Sequence, residues 1–411
     1  MRETSRDYAR PYRPTAIALA NRALPALGSL RADDLMAAAA KRTGLDDFGG
    51  DAFREPLEIL LASVRDEARL SPVGRLITRE RLVGVLANRL RTIAAADASV
   101  RAMPLAPPVV IAGLQRTGTT LLHRLLSSDP RRRWLASWEA LHPAPSGDRT
   151  LLGADARIAA AVRAESALRY LAPDFFAVHP VKAYGCEEDV LLLDQAFLST
   201  TAEATMHVPT YAAWVERQDN TPAYALEHLL MKLLSRQRGE GKRWLLKTPH
   251  HLEFLDVLFA VMGDATILWT HRDPTETVPS FCSMVSHGRG VFSDAVDPRE
   301  VGRHWGRKTA YMIERAMAVR DDGREERFID VFYEDLVRDP LAEVARIYDR
   351  LGEPLTAEAE RRMRRTLEAH PRYGHGVHRY EASDFGLSEG GIAERFAAYR
   401  ARFIQPTRSA G

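Results

Sequence analysis

The chain has 411 residues, 45% of them hydrophobic and 27% charged, enough to bury a full core and longer than one typical domain. Its 57 Lys+Arg against 55 Asp+Glu leave a formal net charge of +2, too even for a protein that coats nucleic acid or anionic membrane, so any anion site must be local. The two cysteines, Cys186 and Cys282, match no metal-ligand spacing and supply at most one bridge, which makes a reducing compartment the default.

The first residues, MRETSRDYARPYRP, are charged and punctuated by proline, with no apolar stretch of signal-peptide type behind them. No run of about 18 apolar residues occurs anywhere, so a cytoplasmic protein without a transmembrane segment is expected. From about Thr15 to Val100 apolar residues recur at helical spacing, as in Leu57, Ile59, Leu60, Leu61 and Val64. Residues 1–105 therefore read as a helical N-terminal region, closed by Ala106-Pro107-Pro108, and 106–411 as the main domain. Four short apolar runs read as buried strands: Val109 to Ala112, Trp244 to Leu246, Thr266 to Trp269 and Phe328 to Phe332. Helical patterns separate them, which predicts an α/β fold with a central parallel sheet flanked by helices. Asp339-Pro340 is placed to open a helix that Gly352 ends, and Thr356 to cap the next, which runs toward His370-Pro371.

The first strand runs into Gly113-Leu114-Gln115-Arg116-Thr117-Gly118-Thr119-Thr120 and then into an amphipathic helix. Glycines at both ends let the backbone curl around an anion, and a helix N-terminus aims free N–H groups and a partial positive charge at it. Gln115, Arg116, Thr117, Gly118, Thr119 and Thr120 are the candidate contacts of this cradle. The glycine spacing is that of the P-loop G-x-x-x-x-G-K-[ST], but Thr119 stands where that motif has its lysine, which disfavours ATP or GTP hydrolysis. The strand ending at His271 repeats the logic: Asp273 can cap, Pro274 fits the first helical position, Arg272 offers a bidentate fork, and Ser280 lies two turns on, just after a bending Pro279. Two anion-suited loops at strand ends of one sheet fit a nucleoside with phosphates at both ends better than a triphosphate. Lys247 closes another strand on the same edge, placed to neutralise charge on a departing oxygen. His250 and His251 follow it, but with no third ligand in reach no metal is expected.

With these motifs in this order, the chain resembles the PAPS-dependent sulfotransferases, P-loop-type α/β enzymes that use 3′-phosphoadenosine-5′-phosphosulfate. GLQRTGTT is similar to that family's 5′-phosphosulfate loop, Arg272 and Ser280 to its 3′-phosphate pair, Lys247-Thr248 to its catalytic lysine segment, and Tyr333 to Pro340 to its later strand-to-helix motif. The likeness is strongest to bacterial members with a helical N-terminal extension and a C-terminal segment like HRYEASDFGL, in which Arg379 would join the cofactor contacts and His378 and Tyr380 flank it. Two departures stand out: Gln115 replaces a proline common in that loop, and neither histidine lies two residues after Lys247.

The resemblance implies in-line transfer of a sulfuryl group to a hydroxyl or amine, releasing adenosine 3′,5′-bisphosphate. The base that takes the acceptor's proton stays open between Glu139, beside a desolvating Trp138, His250 or His251, and a group elsewhere in the chain. Glu139 alternatively pairs with an arginine. Glu187-Glu188-Asp189 reads first as carboxylates at a helix start. Residues 140–240, with Phe175, Phe176, Tyr211 and Trp214, are the expected acceptor-side helical insertion, suited to a small-molecule, lipid or glycan acceptor and not to nucleic acid. The rival readings are a P-loop nucleotide kinase or other phosphotransferase, and a non-catalytic nucleotide-binding protein.

Overall fold

The computed structural model describes residues 4–23, 28–151, 153–369 and 379–405. Five strands form one sheet in the order β2-β3-β1-β4-β5, where β1 is Val109–Gly113, β2 Arg132–Trp134, β3 Arg243–Lys247, β4 Thr266–His271 and β5 Phe328–Phe332. Every pairing is parallel. All four apolar runs are strands. The fifth, β2, was not legible as one: it is three residues long, two of them arginine, and it survives at the sheet edge because Glu353 and Glu139 neutralise Arg132 and Arg133.

Side chains of a strand alternate between faces, and here the alternation sorts the core into two layers. Val110, Ala112, Trp244, Leu246, Ile267 and Trp269 enter the larger apolar cluster. Val109, Ile111, Leu245, Leu268, Ile329 and Val331 enter a smaller one with Leu122, Leu125 and Leu126 of the helix that follows β1. The sheet is thus buried on both faces, as parallel sheets require.

The N-terminal region forms helices Thr15–Ala23, Ala32–Thr43, Arg54–Asp66, Pro72–Ala95 and Ala98–Ala102. Leu35 of the second helix, Leu57, Leu60, Leu61 and Val64 of the third and Leu86 of the fourth are buried in the larger cluster together with the sheet, so these three share its core; Thr15–Ala23 buries no residue, and Val100 of the fifth joins a small separate cluster. Between β2 and β3 the chain is helical, including Ala156–Leu171, Pro173–Val178, Val190–Leu193 and Thr221–Gln237. Beyond β5, Asp339 accepts the Ala342 N–H at 3.1 Å and opens Pro340–Arg350. Gly352 follows at φ +65°, and Thr356 caps Ala357–Ala369 through the Ala359 N–H. His370-Pro371 lie outside the described residues. Among the described residues no helix is long and apolar enough to cross a membrane.

Candidate active site

Strand order puts the carboxyl ends of β3, β1 and β4 side by side, and each end carries one of the expected groups. Gly113, last in β1, lies against β4 so closely that a Cβ there would stand 2.0 Å from Thr270 Oγ1 and 2.8 Å from its carbonyl oxygen. Arg116 and Gly118 follow in the left-handed region, at φ 73° and 90°, and the helix Thr119–Ser127 starts at once. Its first N–H groups have no intrahelical acceptor, which is what makes the turn a cradle. Thr120 is exposed at the rim and Thr119 is buried. Thr117 is turned inward: its hydroxyl bonds the Leu114 carbonyl at 2.6 Å and Thr270 Oγ1 at 2.6 Å, so it closes the loop rather than facing a ligand with its side chain.

The second loop meets the first. Arg116 Nε donates to Ser280 Oγ at 3.2 Å, and Arg272 Nη1 donates to the Arg116 carbonyl at 3.2 Å. Asp273 caps Pro274–Phe292 through the Thr275 N–H, and Pro279 lies inside this helix without ending it. Arg272 is stacked 4.0 Å over the Tyr333 ring and bonded to Glu276 at 2.6 Å, which fixes its direction. Its Nε is buried without a partner. An unpaired buried donor on a fixed guanidinium is costly unless an acceptor completes it, and a phosphate oxygen would do so. Gln115 Oε1 is likewise buried and unpartnered. Arg379 is exposed, with its backbone N–H on Thr4 Oγ1 at 3.4 Å, while Tyr380 reaches the Glu276 carbonyl. His378 lies outside the described residues.

Lys247 ends β3 in register with Ile111. Its side chain is 5% exposed and its ammonium is paired with Glu188. Behind it runs a buried chain: the Lys247 N–H donates to Asp189 Oδ1 at 2.6 Å, Asp189 Oδ2 meets His251 Nε2 at 2.7 Å, and His251 Nδ1 meets the Tyr224 hydroxyl at 2.9 Å. Burial alone would raise the Asp189 pKa, but His251 and the Lys247 N–H hold it well below the usual carboxylate range. Glu227 beside it goes the other way, pushed well up by burial and then by the Asp189 charge. Asp189, Glu227 and His251 bring potential ligand atoms within 4.8 Å of one another, so His251 does have further candidate ligands in reach, against the sequence expectation; Asp189 and His251 are hydrogen-bonded to each other.

These contacts redistribute the candidate bases. His251 is fully buried with both ring nitrogens engaged, so it supports Lys247 from behind. His250 packs on Phe254 at 4.9 Å with both nitrogens buried and unpartnered, and burial pushes its pKa down to about 3. Glu139 is 0% exposed and takes five donors: two from Arg133, two from Arg238 and the Ala136 N–H. That is the ion-paired alternative, and it leaves no lone pair directed at an acceptor. Tyr211 also leaves the acceptor-side set, being fully buried with its hydroxyl on the Phe197 carbonyl. Sequence reasoning missed Glu188, Asp189 and Tyr224 as partners of the lysine strand. The signal was the acidic triplet itself, since the helix it was thought to open is only Val190–Leu193.

Sheet order, glycine cradle and paired basic loops define a P-loop-like α/β protein. Residues 107–357 match the model of the sulfotransferase family, and the chain belongs to that family. It is similar to the crystal structure of sulfotransferase STF1 from Mycobacterium tuberculosis H37Rv, with 35% identity, a TM-score of 0.74, and 90% of this chain and 98% of that one covered. Sulfotransferase STF9 from Mycobacterium avium aligns with 29% identity and a TM-score of 0.82, covering 92% of this chain and 97% of that one. Omega-hydroxy-beta-dihydromenaquinone-9 sulfotransferase Stf3 of Mycobacterium bovis is 27% identical over 264 residues, 60% of this chain and 63% of Stf3. The match therefore spans less than two thirds of that curated relative.

Proposed function

We propose that this chain transfers a sulfuryl group from PAPS to an acceptor hydroxyl or amine and releases adenosine 3′,5′-bisphosphate. The observation that carries the reading is the convergence of Arg116, of Arg272 with Ser280, and of Lys247 on the adjacent ends of β1, β4 and β3. The residues fit such a donor: Gly113 lets β1 lie close against Thr270 of β4 where the cradle begins, Gly118 takes the left-handed turn at φ 90°, and Arg272 keeps an unsatisfied buried donor.

In this reading the backbone from Gln115 to Thr120 holds the 5′-phosphosulfate end, with Arg116 supplying charge, and Arg272 and Ser280 hold the 3′-phosphate. Arg379 belongs to the outer contacts of the same pocket. The donor supplies an activated sulfuryl group on a phosphate leaving group. Lys247 neutralises the charge that builds on the departing oxygen, and the Asp189–His251–Tyr224 chain anchors its backbone N–H. The helices between residues 140 and 240 border the acceptor. Phe175 and Phe176 there, both half-buried, and the hydroxylated menaquinone in the name of Stf3 together favour a lipophilic alcohol.

The test is calorimetric titration with adenosine 3′,5′-bisphosphate and with 5′-ADP, without added metal, on the wild type and on Arg272→Ala. Tight binding that depends on both the 3′-phosphate and Arg272 is expected. Equal or better binding of 5′-ADP, or binding only with Mg²⁺, would reject the donor and favour a kinase-like protein.

A further inference from the structure

We propose that Glu188 is the general base of the transfer, an inference that rests on the donor reading above. Displacement at sulfur needs a cation within about 3 Å of the departing oxygen and a base within about 3 Å of the attacking one. The two groups must therefore bracket one sulfur atom from neighbouring positions. Among the described residues Glu188 is the carboxylate in contact with the Lys247 ammonium. Unlike Glu139, it keeps access to solvent: its side chain is 23% exposed, against 0%. Its second oxygen is 3.5 Å from the Thr248 hydroxyl, too long to be a strong bond, so that oxygen has lone pairs to spare.

The surroundings suit the role. Lys247 from β3 and Thr248 just after it face Glu188, as does the half-buried imidazole of His179, which closes the Pro173–Val178 helix and interacts with Glu187, Glu188, Lys247 and Arg116. Desolvation lowers the His179 pKa, which leaves the ring neutral near pH 7. Glu187 turns back on the chain, accepting the Glu188 N–H at 2.9 Å. When Lys247 moves to the departing oxygen, Glu188 loses its cation and becomes a stronger acceptor on the spot. The acceptor O–H then gives its proton to the Glu188 carboxylate while its oxygen bonds to sulfur. The bond from sulfur to the phosphate oxygen breaks, and its electron pair stays on that phosphate, beside Lys247.

A base in this position also serves water, so the test needs no knowledge of the acceptor. Release of adenosine 3′,5′-bisphosphate from PAPS alone is followed for the wild type, Glu188→Gln and Glu188→Asp, and binding of adenosine 3′,5′-bisphosphate to each is measured separately. The wild type should hydrolyse PAPS slowly. Glu188→Gln should lose ~10²-fold or more of that rate, with Glu188→Asp between them and bisphosphate affinity retained in all three. Lost turnover at retained bisphosphate affinity, partly rescued in Glu188→Asp, is a split that a merely structural carboxylate would not produce. Hydrolysis by Glu188→Gln at the wild-type rate overturns the assignment, and so does a wild type that binds the bisphosphate yet never hydrolyses PAPS. A wild type that does not bind the bisphosphate takes down the donor reading itself.

Discussion

Replacing Glu139 by Gln separates a structural carboxylate from a catalytic one. The Arg133 side chain is 3% exposed and stacks 4.5 Å from the Trp244 ring, so losing the opposing charge leaves a guanidinium buried without compensation. Breaking such a buried pair costs about 3–5 kcal/mol. Arg238 is 48% exposed, and its share is that of a surface pair, about 0.5 kcal/mol. Gln still accepts one hydrogen bond from Arg133, which places the expected loss near the lower end, about 3 kcal/mol. In urea this lowers the midpoint by roughly 1 M for a slope of about 3 kcal/mol per M. Trp134, Trp138 and Trp244 lie on or beside these residues, so tryptophan fluorescence reads the transition directly. Changing both partners, Glu139→Leu with Arg133→Met, should recover much of the loss, because an apolar pair of similar volume needs no compensation. Affinity for adenosine 3′,5′-bisphosphate should survive in the folded variants. An unchanged midpoint in Glu139→Gln together with a collapse of PAPS turnover would refute the structural reading and return Glu139 to the chemistry.

Gly113→Ala should destabilise the chain by about 1–3 kcal/mol and weaken bisphosphate binding, because the new methyl meets the fixed Thr270 carbonyl; thermal melts and calorimetry check both. Lys247→Met should keep bisphosphate affinity while PAPS hydrolysis falls ~10²–10³-fold, whereas equal loss of both would make Lys247 a binding residue only. Glu300→Gln should flatten the acid limb of stability. Burial opposes ionisation there, but His207 and then Arg289 hold the Glu300 pKa down to about 2, against 4.5 ordinarily. A depressed carboxyl stabilises above its unfolded pKa and loses that contribution as pH falls through the folded one. The wild type should therefore lose this increment between pH 4.5 and about 2, and the variant should not; urea midpoints across that range measure it.

The parts legible in the sequence are those set by local chemistry. Val109 to Ala112 reads as a buried strand because it is short, apolar and β-branched, and the strand Val109–Gly113 is buried throughout. The caps at Asp273 and Asp339 are legible because a short acid before proline has few other roles at a helix start. Arg116, Arg272, Ser280 and Lys247 could be placed on one edge because parallel strands bring their carboxyl ends together. What stayed hidden depends on pairing across the chain. β2 looks like a charged loop until Glu353, more than 200 positions away, neutralises Arg132. Glu139 and Glu188 are both glutamates between β2 and β3, and nothing local shows that five donors surround one while the other meets Lys247.

The sheet positions the proposed donor end: cradle, fork and lysine all follow from strand order, and Gly113 pairs closely with Thr270. The carboxylate against Lys247, and the Asp189 that ties down its backbone, come instead from the helical stretch between β2 and β3, 59 and 58 positions from the lysine. In the proposed function the same stretch borders the acceptor. With the proposed base and acceptor border, proton removal is tied in sequence to acceptor choice and not to donor binding, so changes there would alter the acceptor and its base together while the proposed donor cradle stays as it is.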